Sequence, residues 1–244
     1  MRTQIQIIDL SWPVRSGMPM FPGDPPVSLT PMGRLETDGY ASHLASLPAH
    51  SGTHVDAPAY VLEDGAALAD LPLCRFAGAG VVLDVRGRDG LAVTAADILP
   101  HLVWLRAQQP AFALLLTGDG ARFGDPGYYT QGAHLTPGAA LLLAGQGLSG
   151  VGLDAGSADP LEAHGLPAHR ALLSAGLVIV ENLRGLEQLP PAGFVFVCLP
   201  VLGADGSPVR AAAMLPADAF GGDSGGDTGG GPGGQANATT GARQ

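Results

Sequence analysis

The sequence predicts a single α/β domain around a buried, at least partly parallel sheet, followed by a glycine-rich tail. Short apolar or β-branched runs alternate with helix-patterned stretches, as in strand–helix–strand units packed on a common sheet. Of the 244 residues, 46% are hydrophobic, which in a chain this long is enough to bury a sizeable core. The composition breaks near Phe220: from Gly221 to Gln244, 10 of 24 residues are glycine and none carries a large apolar side chain. Such a segment cannot bury enough surface to offset its ordering entropy. The domain is therefore expected over 1–219 and a flexible tail over 220–244.

Each element has a local reason. Met1 to Leu10 alternates polar and apolar residues and reads as a strand. Val81-Val82-Leu83-Asp84-Val85 is a β-branched run entered through Gly78 and Gly80 and left through Gly87. Thr94-Ala95-Ala96-Asp97 has capping-box spacing, with Asp in place of Glu or Gln, and opens a helix interrupted by Pro100. Phe112 to Leu116 is a second buried strand. Thr136-Pro137, Ala139 to Ala144 and Gly145 supply the start, body and end of a helix. Val151 to Asp154 returns as a strand, Pro167 to Ala175 is a short helix closed by Gly176, and Leu177 to Val180 and Phe194 to Cys198 are strands.

Charge and composition narrow the function. The formal net charge of -10 repels phosphate, which argues against nucleic acid and against polybasic membrane attachment. No apolar run approaches the roughly 18–20 residues that span a bilayer, and the amino terminus lacks the apolar core of a signal peptide. Cys74 and Cys198 are too few for a disulfide scaffold or a four-cysteine zinc site and suit a reducing compartment. The expectation is a cytoplasmic protein acting on a small molecule. Gly222-Asp223-Ser224-Gly225-Gly226 has the look of a hydrolase nucleophile motif, but a glycine-rich tail cannot hold a strained nucleophile turn. Gly145-Gln146-Gly147-Leu148-Ser149-Gly150 matches a dinucleotide fingerprint. It follows a helix and enters a strand, the reverse of the required order, and reads as a turn.

The residues that carry chemistry are concentrated in His50-Ser51-Gly52-Thr53-His54-Val55-Asp56-Ala57-Pro58. In an extended segment, positions 50, 52, 54 and 56 face one way, with Gly52 leaving room between the two rings. Two neutral imidazoles and an anionic oxygen suit a borderline divalent ion such as Zn²⁺ or Mn²⁺. Hydrogen-bonded histidines beside an Asx turn would leave the same trace. His169, near the start of the short helix, and Glu181, at the end of the next strand, can meet at one edge of the sheet. A carboxylate ending a buried strand needs a partner such as a cation, the alternatives being a salt bridge or an exposed strand end. His43, His101, His134 and His164 have no matching partners and read as surface or structural. Thr117-Gly118-Asp119 is a candidate pocket segment, and Phe21-Pro22-Gly23 a candidate apolar wall.

These motifs resemble the metal-dependent cyclase family, which includes bacterial kynurenine formamidase (arylformamidase) and isatin hydrolase. The likeness rests first on the H-x-G-T-H-x-D-A-P signature at His50–Pro58. It extends to Asp9-Leu10-Ser11, Gly17-Met18-Pro19, Pro22-Gly23-Asp24-Pro25, Gly152-Leu153-Asp154, Ser157-Ala158-Asp159-Pro160, Leu166-Pro167-Ala168-His169 and Ile179-Val180-Glu181-Asn182-Leu183. The resemblance implies a cyclase-like domain with a central mixed sheet, assembled as a homodimer or homotetramer. It implies one or two divalent ions held by His50, His54, Asp56, His169 and Glu181. The implied reaction is hydrolysis of N-formyl-L-kynurenine to formate and L-kynurenine in tryptophan breakdown, with a cyclic amide or lactone as the alternative substrate. One position departs from the family pattern D-A-P-x-H: Tyr60 stands where the last His is expected to handle protons. A phenol, with a pKa of about 10 against about 6.5 for imidazole, is a poor base at neutral pH but can donate a hydrogen bond to an oxyanion. A nearby metal would let it act as a base. The other reading of Tyr60 is a packing residue in a metal-binding homologue that does not catalyse.

Overall fold

The computed structural model describes residues 5–216. The segment 220–244, with its Gly222–Gly226 motif, lies outside the described residues, as does the domain boundary expected at 219.

The strands are β1 (Ile5–Asp9), β2 (Ser28–Gly33), β3 (Ser42–Ser46), β4 (His54–Asp56), β5 (Ala77–Asp84), β6 (Ala92–Val93), β7 (Phe112–Leu116), β8 (His134–Leu135), β9 (Gly150–Leu153), β10 (Val178–Glu181), β11 (Phe194–Val197), β12 (Gly206–Pro208) and β13 (Ala212–Pro216). The helices are α1 (Leu35–Asp38), α2 (Ala95–Ile98), α3 (Leu102–Gln108), α4 (Pro137–Ala144) and α5 (Pro167–Ser174). Nine strands form one mixed sheet in the order β1-β13-β11-β5-β7-β9-β10-β4-β12. The central run β5-β7-β9-β10 is parallel, and the strands on either side of it pair antiparallel.

Side-chain alternation divides the core between the two faces of this sheet. Val81, Leu83, Leu115, Leu153 and Ile179 pack beneath α2 to α5, whereas Val82, Leu114, Val178, Val180 and Phe196 fill the opposite layer. Strands buried on both faces read as continuous apolar runs, as expected for the parallel centre of a sheet. The helix starts are local. The Asp97 carboxylate accepts from both the backbone N–H and the hydroxyl of Thr94, 2.7 Å each, and Pro100 sits in a 3₁₀ turn that separates α2 from α3. Thr136 caps α4 by accepting from the Ala139 N–H at 3.3 Å. The Gly145–Gly150 segment is the turn from α4 into β9. Among the described residues, no helix is long and apolar enough to cross a membrane.

One expectation fails locally. Residues 50–56 are not one extended segment, because regular strand begins only at His54. His50 lies in a turn that precedes it, and Gly52 has a φ of 59°, in the left-handed region. Gly52 is needed for that backbone conformation, not as a spacer between alternating rings.

Candidate metal centre

Antiparallel pairing of β4 with β10 sets Glu181 directly opposite His54, and Ile179 opposite Asp56. On such a pair, opposed side chains share a face, so His54, Asp56 and Glu181 project to the same side. The His54 Nε2 lies 3.3 Å from Asp56 Oδ1 and 3.4 Å from Glu181 Oε2. Helix α5 then brings His169 from the other flank, with its Nε2 3.2 Å from Glu181 Oε1 and 3.6 Å from Asp56 Oδ2. The turn before β4 brings His50, whose Nδ1 lies 2.8 Å from Asp56 Oδ1. Two donor sets result: an outer one of His50, His54 and Asp56, and an inner one of Asp56, His169 and Glu181. Asp56 belongs to both.

The rings are oriented by groups behind them. His54 Nδ1 donates to the Gly52 carbonyl at 2.8 Å, and His169 Nδ1 to Asp159 Oδ2 at 2.7 Å. Each contact leaves Nε2 turned towards the carboxylates, the arrangement by which outer partners orient metal-ligating imidazoles. Asp159 also accepts the backbone N–H groups of Ala168 and His169 at 2.9 and 3.0 Å. One carboxylate thus caps the start of α5 and orients the ring that α5 carries. Glu181 Oε1 accepts the Ala158 N–H at 2.6 Å.

The electrostatics are those of a cation site. Asp56 is fully buried, and its Oδ2 has no hydrogen-bond partner among the described residues. An orphaned carboxylate oxygen in such a place requires a positive partner, and the surrounding nitrogens and oxygens are the donor types that borderline divalent ions take. Burial opposes charge on His54, but the facing Asp56 and Glu181 carboxylates prevail and hold its pKa up to about 10. Burial likewise opposes charge on His169, while Asp159, Asp56 and Glu181 hold it well above the ordinary value. Asp56 runs the other way: burial favours its neutral form, yet the surrounding imidazoles keep its carboxyl well below the usual range.

A cavity of about 400 Å³ opens onto the five donor residues except the deeply buried Asp56, and Phe21, Tyr60 and Tyr129 supply aromatic wall. Tyr60 lies over His50, ring centroids 4.3 Å apart, and 5.5 Å from the ring of His169. Burial, then the Asp56 charge, pushes its phenol up to about 12. Phe21 meets Tyr129 edge-on at 5.6 Å. A second cavity, about 930 Å³, is lined by Trp12, Arg86, Asp154 and Arg184 and holds none of the donor residues.

Thr117-Gly118-Asp119 does not line the metal-site cavity, contrary to expectation. The buried Asp154 carboxylate draws this loop inward, accepting from the N–H and hydroxyl of Thr117 at 2.7 and 2.6 Å and from the Gly118 N–H at 3.0 Å. His43, His101, His134 and His164 stand outside both donor sets. Asp205 and Gly206 carried no signal in the sequence. Asp205 Oδ2 accepts from His50 Nε2 at 2.9 Å, and a Cβ on Gly206 would lie 2.5 Å from the His50 ring.

The Cyclase family model matches residues 8–160. A kynurenine formamidase of Salinibacter ruber is 37% identical over 210 residues, spanning 84% of this chain and 95% of that protein. Isatin hydrolase A of Labrenzia aggregata, solved with benzyl benzoate bound, superposes with a TM-score of 0.75 at 25% identity, covering 87% of this chain and 94% of that one. A structure described as a potential metal-dependent hydrolase with cyclase activity gives a TM-score of 0.71 at 27% identity, over 86% and 98% of the two chains.

Proposed function

This chain belongs to the Cyclase family, and on that premise we propose that it hydrolyses the formamide C–N bond of N-formyl-L-kynurenine, releasing formate and L-kynurenine. The observation that carries the reading is the pair of donor sets sharing Asp56, in a chain 37% identical to a kynurenine formamidase. His50, His54, Asp56, His169 and Glu181 hold one or two ions, Zn²⁺ or Mn²⁺, chosen because imidazole and carboxylate suit both. When bound, such an ion supplies Lewis acidity towards a carbonyl oxygen and acidifies water.

The chain's own groups do the rest. In the metal-free chain Tyr60, its pKa up to about 12, keeps its proton at neutral pH. It therefore acts as donor, stabilising the developing oxyanion or passing a proton to the departing arylamine. Glu181, the anionic carboxylate that lines the cavity, orients the attacking water, whose oxygen ends in formate. Phe21 and Tyr129 present an aromatic wall to a substrate ring. A second reading, opening of a cyclic amide, is favoured by the isatin hydrolase likeness at a TM-score of 0.75. The family's homodimer or homotetramer is part of the proposal. It is supported by Met32, Leu35, Tyr40 and Leu44, exposed apolar side chains on the β2–β3 hairpin and the α1 turn joining it.

The test is formate release from N-formyl-L-kynurenine by the purified chain. Turnover is expected to vanish with a chelator and to return with Zn²⁺ or Mn²⁺. Tyr60→Phe is expected to lower kcat by about 100-fold with KM little changed, the loss typical of one oxyanion donor. Silence from folded, metal-loaded protein on this substrate would reject the formamidase reading, and activity on a cyclic amide would then establish the second.

A further inference from the structure

We propose that Asp205 is a positioning residue that selects the nitrogen His50 offers to the metal, and that its exposure makes the outer donor set the weaker of two unequal ion sites. The inference rests on the divalent-ion reading of this centre.

His54 and His169 both face the carboxylates through Nε2, with Nδ1 tied behind to the Gly52 carbonyl and to Asp159. His50 is reversed. Its Nδ1 points inward to Asp56 Oδ1 at 2.8 Å, and its Nε2 points outward to Asp205 Oδ2 at 2.9 Å. The ring lies between the Tyr60 face at 4.3 Å and the bare Cα side of Gly206, where any Cβ would collide with it. Neither neighbour distinguishes the two nitrogens. The Asp205 carboxylate does: by accepting from Nε2–H it leaves the Nδ1 lone pair for an ion. Its placement is anchored, because the Asp205 carbonyl accepts the Ala57 N–H at 2.8 Å, joining this turn to the end of β4.

The corresponding pair in the inner set is dry. The side chains of His169 and Asp159 are 2% and 0% exposed, against 21% and 45% for His50 and Asp205. Water competes for the outer pair and screens it, so the outer ring is less strongly held. Both the reversed ring and the wet partner belong to the same donor set, which therefore binds its ion second.

The experiment titrates zinc into the metal-free full chain by calorimetry, for the parent, Asp205→Asn and Asp205→Ala. The expected result is two unequal steps in the parent. Asp205→Ala should weaken the second by about 10–100-fold, and Asp205→Asn by less, while the first step stays within about twofold and Tm is unchanged. In the zinc-loaded parent, ¹⁵N NMR should report coordination of His50 through Nδ1 with a proton on Nε2. Unchanged steps in both variants, coordination of His50 through Nε2, or equal loss in both steps with a lowered Tm would overturn the inference. Two identical steps in the parent would also overturn it. A parent that binds no zinc would remove the divalent-ion reading together with it, which separates the two failures.

Discussion

The inner and outer donor sets share Asp56 on β4, and the outer set also takes His54 from that strand, but the two differ in how their remaining members are placed. Glu181 ends a buried strand and His169 sits in the first turn of α5, so ladder pairing and helix capping place them. His50 stands in a turn, reached through a left-handed glycine and held by an acceptor from a distant turn. Regular elements position a side chain through many mutually supporting hydrogen bonds, whereas a turn depends on a few specific contacts. The inner set is therefore the rigid half of the centre and the outer set, through His50 beneath Tyr60, the adjustable half.

The strongest way to break this comparison is to remove what the halves share. Asp56→Ala should abolish both zinc steps and lower turnover beyond the roughly 100-fold ceiling of an outer-partner loss. It should also cost the metal-free fold roughly 3–5 kcal/mol, because buried imidazoles lose their counter-charge. Calorimetry and denaturant unfolding read the two effects, and retention of one full-affinity ion would show that the sets do not depend on a common ligand.

A smaller perturbation sharpens the contrast. Asp159→Asn should weaken the tighter zinc step by about 10–100-fold and spare the weaker one, the mirror image of the Asp205 variants. If it weakens the outer step instead, the assignment of rigid and adjustable halves is reversed.

The smallest effect is a dependence on pH. In the metal-free chain His54 has a pKa of about 10, so it carries a proton at neutral pH that an incoming ion must displace. Zinc affinity should rise with pH, by about tenfold per unit for each proton released, and level off near the His54 pKa. The stability of the metal-free fold moves the other way. The raised His54 pKa contributes fully below about pH 6.5 and is lost as pH rises towards 10. Titrations in buffers of different ionisation enthalpy count the protons, and zinc uptake without proton release would contradict the charge state assigned to His54.

Much of the fold was legible because its signals are local. Thr136-Pro137 before an apolar run, and Thr94 with Asp97, specify helix starts within four residues, and both occur where expected. Most strand ends shift by a residue, with Val85, Asp154, Leu177 and Cys198 just outside theirs and Glu181 inside, while β5 starts four residues before the expected Val81, at Ala77. Alternation predicted the gathering of His50, His54 and Asp56 for a reason that holds only from His54 onward, since the chain reaches His50 by a turn.

The five proposed donor residues were named through the resemblance of short segments to the family's motifs, whereas their spacing alone left hydrogen-bonded histidines and a salt bridge as alternatives. Their division into two sets with Asp56 between them was not readable in the sequence, because it depends on the β4–β10 register, a pairing of residues more than a hundred positions apart. Asp205 meets His50 across a separation of 155 residues, and no pattern within either segment marks the contact. Residue type and local period decide which atoms are available and which way a segment tends to fold. Only the closed sheet decides which nitrogen of a ring faces a carboxylate and which side of it stays dry, because those depend on surfaces that distant parts of the chain bring together.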